Sequence, residues 1–223
     1  MQEPEFVKNL FGSIATRYDL ANHLLSGGLD FWWRKKVAAI VRGLGPQTIL
    51  DLATGSGDLA LTLAKACPQA KIFGADFCHP MLLQAARKGV ANLTTADGLN
   101  LPYASETFDL ITIAFGLRNM KSRSRGLSEM RRVLKPGGHV LVLDFSIPGA
   151  PLSGIYRFYL HKILPWMAGL VTGEKSAYEY LGDSIEKFPQ GEAMREKMLS
   201  VGYSAASAMP LTCGIVTLYT AEK

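Results

Sequence analysis

A chain of 223 residues, 48% hydrophobic and 19% charged, has the size and apolar content of one domain with a large core and is too short for two full ones. Its net charge of +5 is scattered apart from Arg34-Lys35-Lys36 and Arg131-Arg132, which leaves no continuous nucleic-acid-binding stripe, while an anionic membrane surface or an anionic substrate suits it equally. Cys67, Cys78 and Cys213 form no C-x-x-C pair and are odd in number, which argues against a disulfide framework or a structural zinc site.

The N-terminus, MQEPEFVKNLF, carries acidic residues where a secretory signal needs basic ones and lacks an apolar run, so a cytoplasmic protein is expected. Residues 1–45 read as short amphipathic helices forming an N-terminal cover, the last running from about Asp30 to Val41 and ended by Gly43 and Gly45. Next come strand Thr48–Ala53, helix Asp58–Ala66, strand Lys71–Ala75, helix Pro80–Lys88, strands Leu93–Ala96 and Leu110–Phe115, helix Ser122–Leu134 and strand His139–Phe145. Pro80 suits a helix start, and Lys135-Pro136-Gly137-Gly138 a helix stop. Strands alternating with helices predict right-handed βαβ units and a doubly wound, mostly parallel α/β sheet.

Residues 152–188 break that rhythm. The run 152–172 is rich in Leu, Ile, Tyr, Trp and Met, but Arg157, His161 and Lys162 interrupt it; each charge would cost on the order of 3 kcal/mol at the centre of a membrane span. A helical insertion that lines a pocket or rests on a membrane is expected instead. A helix over Gly191–Val201 and two strands, Ala205–Leu211 and Ile215–Ala221, joined by Thr212-Cys213-Gly214, close the chain as an antiparallel hairpin and bring the expected strands to seven.

The stretch Ile49 to Ala60 is an apolar strand, a turn with Gly55 and Gly57, and an apolar helix opened by Asp58, the arrangement by which α/β proteins hold a nucleotide-type cofactor. Gly55, Gly57 and Ala60 also fit the dinucleotide fingerprint, with Asp76 about twenty residues on, so the loop alone does not choose a cofactor. Asp51, Asp76 and Asp97 end the first three strands. Asp51 would repel a pyrophosphate and attract the ammonium and sulfonium of S-adenosylmethionine, Asp76 can accept both ribose hydroxyls, and Asp97 with Gly98 is placed for the adenine amine. The expected donor site is therefore Asp51, Gly55, Ser56, Gly57, Asp76, Phe77, Asp97 and Gly98. His23, His79, His139 and His161 are dispersed without ligand spacing, and no metal is expected.

Five separated motifs then carry a resemblance. They are Tyr18-Asp19-x-x-Asn22 with Leu25-Ser26-x-Gly28 and Trp33; Phe115-Gly116-Leu117-Arg118-Asn119; Arg132 to Gly138 running on to Phe145-Ser146; Tyr178-x-Tyr180-Leu181 with Ser184-Ile185; and Leu211-Thr212-x-Gly214. Along nearly all its length the chain resembles the menaquinone and ubiquinone biosynthesis C-methyltransferases, which are class I methyltransferases. The resemblance implies a Rossmann-like domain over 1–223, adenosylmethionine as cofactor, and a polyprenyl quinol as substrate. By position the family's donor contacts become Ser56, Asp76 and Asp97-Gly98. The chain departs from the family's usual residues at Ala21 (methionine), Asp30 (histidine) and Asp144 (glutamate).

For C-methylation of a quinol the expected catalytic residues are Arg118, stabilising the phenolate directly or through water, Asn119, orienting the ring oxygen, and Tyr18, closing over the donor. The bland alternatives are a salt bridge for Arg118, a helix cap for Asn119 and ordinary packing for Tyr18. The prenyl tail implies peripheral association with the inner face of the membrane. No nucleic-acid partner is expected, and a homo-oligomer is allowed. Nucleic-acid methylation is disfavoured because the fourth strand ends in Ala114-Phe115-Gly116 without a D/N-P-P-Y run. A binding module without turnover is the remaining alternative.

Overall fold

Seven strands form one sheet in the order β3-β2-β1-β4-β5-β7-β6. The computed structural model describes residues 23, 26–166, 169 and 175–223. Strands β1 (Thr48–Leu52), β2 (Lys71–Asp76), β3 (Asn92–Thr95), β4 (Phe108–Ala114) and β5 (Leu134–Phe145) pair in parallel. β7 (Val216–Glu222) runs antiparallel between β5 and β6 (Ala205–Leu211). The strand order reverses between β1 and β4, so their carboxyl ends flank the crevice where open α/β sheets bind ligands.

Both faces of the central strands are covered, which is why they read as unbroken apolar runs. Ile49, Leu110 and Leu141 pack with Trp33, Val37 and Val41 of helix α1 (Leu29–Leu44) and with Leu59 and Leu63 of α2 (Asp58–Ala66). Their alternates Leu50, Leu52, Ile111 and Ile113 meet Leu127 and Met130 of α4 (Arg123–Val133) and Met194 and Met198 of α7 (Glu192–Ser200). Helix α3 (His79–Arg87) lies against α2 through Ala85 and Ala60.

Three boundaries differ from expectation for local reasons. Helix α1 passes through Gly43 and stops at Gly45, whose left-handed φ of 63° lets its N–H reach the Arg42 carbonyl. Strand β5 begins at Leu134 rather than His139, because Leu134 already pairs with Phe108 before the Lys135–Gly138 segment bulges and Leu110 meets His139. Between β6 and β7, Thr212, Cys213 and Gly214 all take positive φ, and the Thr212 hydroxyl accepts the indole N–H of Trp33 at 2.8 Å. That bond ties α1 to the hairpin.

After β5 the chain forms α5 (Leu152–Phe158), a π-helical turn over Tyr159–Ile163 and α6 (Lys175–Glu186). Leu160, Leu164 and Ile185 give this segment its own small core, and Glu186 receives Arg157 at 3.2 Å and His161 at 3.3 Å. The expected N-terminal cover over residues 1–22 lies outside the described residues.

Gly57 fixes the glycine loop to this frame: its φ is 86°, and an added Cβ would stand 2.6 Å from Val90 Cγ2 and 3.0 Å from Ala85 Cβ. Gly57→Ala therefore combines left-handed strain with a clash between α2 and α3, and should cost about 1–3 kcal/mol. Chemical denaturation measures it; unchanged stability would show that the loop does not need glycine there.

Candidate active site

A cavity of about 510 Å³ opens at the carboxyl ends of β1, β4 and β5, within the range of small-molecule sites. Asp51, Gly55 and Ser56 line it from β1 and the glycine loop, Asp30, Trp33 and Arg34 from α1, Phe115 and Arg118 from the turn after β4, and Tyr156, Tyr159 and Tyr180 from the insertion.

Asp51 is 1% exposed. Its Oδ2 accepts the Thr54 hydroxyl and its Oδ1 the Thr112 hydroxyl, each at 2.7 Å. Burial nevertheless pushes its pKa up to about 6, helped by the nearby charge of Asp76 and opposed by the two hydroxyls. A carboxyl so poised gains most from a cation placed beside it, which fits the ammonium of a donor amino acid.

Asp76 braces the loop: Oδ2 accepts the N–H of Gly55 and Oδ1 that of Cys78, both at 2.8 Å. Burial raises its pKa while these backbone donors pull the other way. With the Phe77 N–H as a third backbone contact, the carboxylate's roughly four acceptor positions are not all used, which leaves room for a ribose hydroxyl. Asp97 is exposed and its Oδ1 accepts the Leu99 N–H at 2.9 Å. A Cβ on Gly98 would lie 2.5 Å from Met120 Cε, the far end of a flexible side chain that would have to shift. Asp76, Phe77, Asp97 and Gly98 thus follow the same sheet edge beyond the cavity lining, and Gly57 sits behind the loop against α3.

Arg118 is buried in the 3₁₀ turn Leu117–Asn119. Its Nη1 donates to Asp144 Oδ1 at 2.8 Å and to the Phe115 carbonyl, and its guanidinium lies over the Phe145 ring, 5.4 Å from the centroid. The bland alternative of a salt bridge is present, with Asp144 as the acid. The Nε is buried and has no hydrogen-bond partner among the described residues, so the guanidinium, which lines the cavity, is not fully satisfied by the protein. Asn119 stands behind this wall: its amide donates to the Phe115 carbonyl at 3.3 Å, and its Oδ1 accepts the Tyr180 hydroxyl at 3.1 Å. It caps no helix, since Ser122 caps α4. Tyr18 lies outside the described residues, and Tyr178 falls within α6, where its side chain is not described.

Sequence reasoning left out the charged cluster at the start of α1. Asp30, 3% exposed, accepts from Ser26 Oγ at 2.8 Å, from His23 Nδ1 at 2.6 Å and from Arg34. Burial works to raise its pKa, but the Ser26, Arg34 and His23 contacts together hold it below the ordinary carboxylate value. The i,i+4 spacing of Asp30 and Arg34 was a readable signal; their approach to Asp58 of α2 was not.

The sheet order, the single antiparallel strand β7 and a glycine loop flanked by strand-end acids define the class I adenosylmethionine-dependent methyltransferase architecture. Solved structures agree on the fold: a SAM-dependent methyltransferase of Thermotoga maritima, titled a possible histamine N-methyltransferase, matches with a TM-score of 0.67 at 16% identity, over 96% of this chain and 98% of that one. A model of the ubiE/COQ5 methyltransferase family matches residues 1–223. The demethylmenaquinone methyltransferase of Thermus thermophilus is 42% identical over 220 residues, 96% of this chain and all of that relative. The ubiquinone/menaquinone biosynthesis C-methyltransferase UbiE of Syntrophotalea carbinolica is 45% identical over 217 residues, covering 95% of this chain and 91% of the relative. The chain belongs to the ubiE/COQ5 methyltransferase family.

The Asp51 carboxyl sets a pH dependence. A cation binds its ionised form, so below its pKa of about 6 donor affinity should fall roughly tenfold per pH unit and above it level off. Titration calorimetry with adenosylmethionine across this range measures it. Asp51→Asn should bind weakly with a flat profile, and a flat profile for the unaltered protein would contradict the assignment.

Proposed function

We propose that this chain transfers the methyl group of adenosylmethionine to a ring carbon of a polyprenyl quinol, converting demethylmenaquinol to menaquinol. The second reading, methylation of the polyprenyl benzoquinol of the ubiquinone pathway, is favoured by the double name carried by the Syntrophotalea relative. The observation that carries the proposal is Arg118, a buried guanidinium whose Nε has no partner among the described residues, set in the aromatic wall of the cavity that Asp51 also lines.

The donor supplies an electrophilic methyl carbon on a sulfonium. Asp51 anchors its ammonium, Gly55 and Ser56 let the loop approach it, and Asp76 and Asp97 hold the ribose and adenine. Phe115, Phe145 and Tyr159 form a wall for the flat quinol ring, and the Arg118 guanidinium stabilises the ring oxygen as an anion, which raises electron density at the neighbouring carbon. Asn119, expected to orient the ring oxygen, is here given the role of keeping the Arg118 turn in register, and Tyr18, outside the described residues, is assigned to closing over the donor. Burial pushes the Tyr156 and Tyr180 phenols above their ordinary pKa, so both stay protonated near neutrality as hydrogen-bond donors and do not accept the ring proton.

Peripheral membrane contact belongs to the same proposal. No helix among the described residues is long and apolar enough to cross a membrane. Leu29, Leu152 and Ile155 both line the cavity and stand exposed, and Phe31, Trp32, Phe158 and Trp166 extend that apolar surface on the same two elements and the helical continuation of α5. Lys35, Lys36, Arg157 and Lys162 are exposed among them, the pattern of an interfacial surface facing anionic lipid. Such a rim would let the ring enter while its tail stays in the bilayer.

Purified protein with labelled adenosylmethionine and a demethylmenaquinol tests the activity directly. Arg118→Lys keeps the charge opposite Asp144 but loses the planar fork; kcat should fall about a hundredfold or more while donor affinity changes less than about threefold. Equal losses in both would remove Arg118 from the chemistry. The doubly substituted Phe158→Ser, Trp166→Ser protein, altered only on the exposed rim outside the cavity lining, should sediment poorly with anionic vesicles yet methylate a short-tailed quinol normally; undiminished vesicle binding would move the membrane contact elsewhere.

A further inference from the structure

Two cationic side chains line the cavity, Arg34 and Arg118. Arg118, held through Nη1 by Asp144 and the Phe115 carbonyl, is assigned above to the acceptor's ring oxygen. Arg34 instead stands on the side of the glycine loop, where it lines the cavity together with three carboxylates, Asp30, Asp51 and Asp58. Its positive charge is felt at Asp51, whose pKa it lowers. An amino-acid group docked here brings an ammonium and a carboxylate on one carbon. Whatever seats the ammonium on Asp51 leaves the carboxylate among acids, and only a cation within reach turns that repulsion into recognition.

We propose that Arg34 receives the α-carboxylate of the methyl donor, forming with Asp51 a two-point receptor for the donor's amino-acid end. The proposal rests on the donor reading above. The guanidinium is already positioned for it. Nη1 is held by Asp30 Oδ2, and Asp30 is itself fixed by Ser26 Oγ at 2.8 Å and His23 Nδ1 at 2.6 Å. Nη2 stands 3.6 Å from Asp58 Oδ2, beyond hydrogen-bond reach, while Asp58 takes Lys88 Nζ at 2.7 Å through its other oxygen. The Arg34 side chain is 11% exposed. One edge of the fork is therefore anchored, and the other makes only a long ion pair to Asp58 that an incoming carboxylate can replace, with little conformational freedom left to lose. The competing account makes Arg34 a brace between α1 and α2 that never touches a ligand.

Calorimetry with two ligands separates these accounts: adenosylmethionine, and its decarboxylated analogue, which keeps the adenosine, sulfonium and ammonium. The unaltered protein should bind the analogue roughly 10- to 100-fold more weakly, the range of a charge-assisted hydrogen bond. Arg34→Gln should weaken adenosylmethionine by the same factor and leave the analogue within about twofold, abolishing discrimination, and Arg34→Lys should restore part of it. Equal weakening of both ligands by Arg34→Gln, or no discrimination by the unaltered protein, overturns the proposal. Should Arg34→Gln fail to fold, the unaltered protein and Arg34→Lys decide the matter on the same ratio. If the folded, unaltered protein binds neither ligand, the donor reading is what fails.

Discussion

The buried ion pair between Arg118 and Asp144 holds the site together. Asp144 is fully buried at the end of β5 and accepts not only the guanidinium but also the backbone N–H groups of Arg118 and Phe145. Breaking such a pair by removing one partner costs about 3–5 kcal/mol, because the other charge is left buried alone. The pair also fixes a turn that packs closely: Phe115 takes a left-handed φ of 58°, and a Cβ on Gly116 would come within 2.5 Å of Ala53. Ala53, at φ 52°, is the first residue beyond β1. Two non-glycine residues in this region, one from each side of the crevice, are strain of the kind that collects at functional sites.

From that turn the constraint spreads outward. The Phe115 carbonyl receives Arg118 and Asn119, Asn119 receives Tyr180 of the insertion, and Phe145 lies both under the guanidinium and against Trp33 of α1. The sheet, the insertion and the first described helix thereby converge on one aromatic wall. The opposite requirement holds at Asp51, where a buried carboxyl is satisfied by hydroxyls until a cation arrives. A site with an anion receptor in one wall and a cation receptor in another suits a reaction in which a sulfonium and a phenolate neutralise each other.

Much of this was legible in the sequence where the signal is local. Strand ends follow from apolar runs and glycine turns, so the placement of Asp51, Asp76 and Asp97 at the edge of a parallel sheet could be read directly, as could the terminal hairpin. What escaped depended on pairing across the chain. Arg118 stands out in the sequence, but its partner Asp144 is 26 residues away, and no periodicity announces a contact between two adjacent strand ends. The early start of β5 was hidden by Pro136, Gly137 and Gly138, which look like a helix stop and instead form a bulge that the neighbouring strand β4 tolerates. The i,i+4 spacing of Asp30 and Arg34 is visible in the sequence, but the cluster acquires meaning only when α1 folds onto the glycine loop and brings Asp58 alongside.

The central claim is that the physiological acceptor is a demethylated quinol. The quinone profile of cells lacking this protein tests it most directly: the account predicts that demethylmenaquinone accumulates and menaquinone disappears, with both reversed when the gene is restored. An unchanged profile would contradict it.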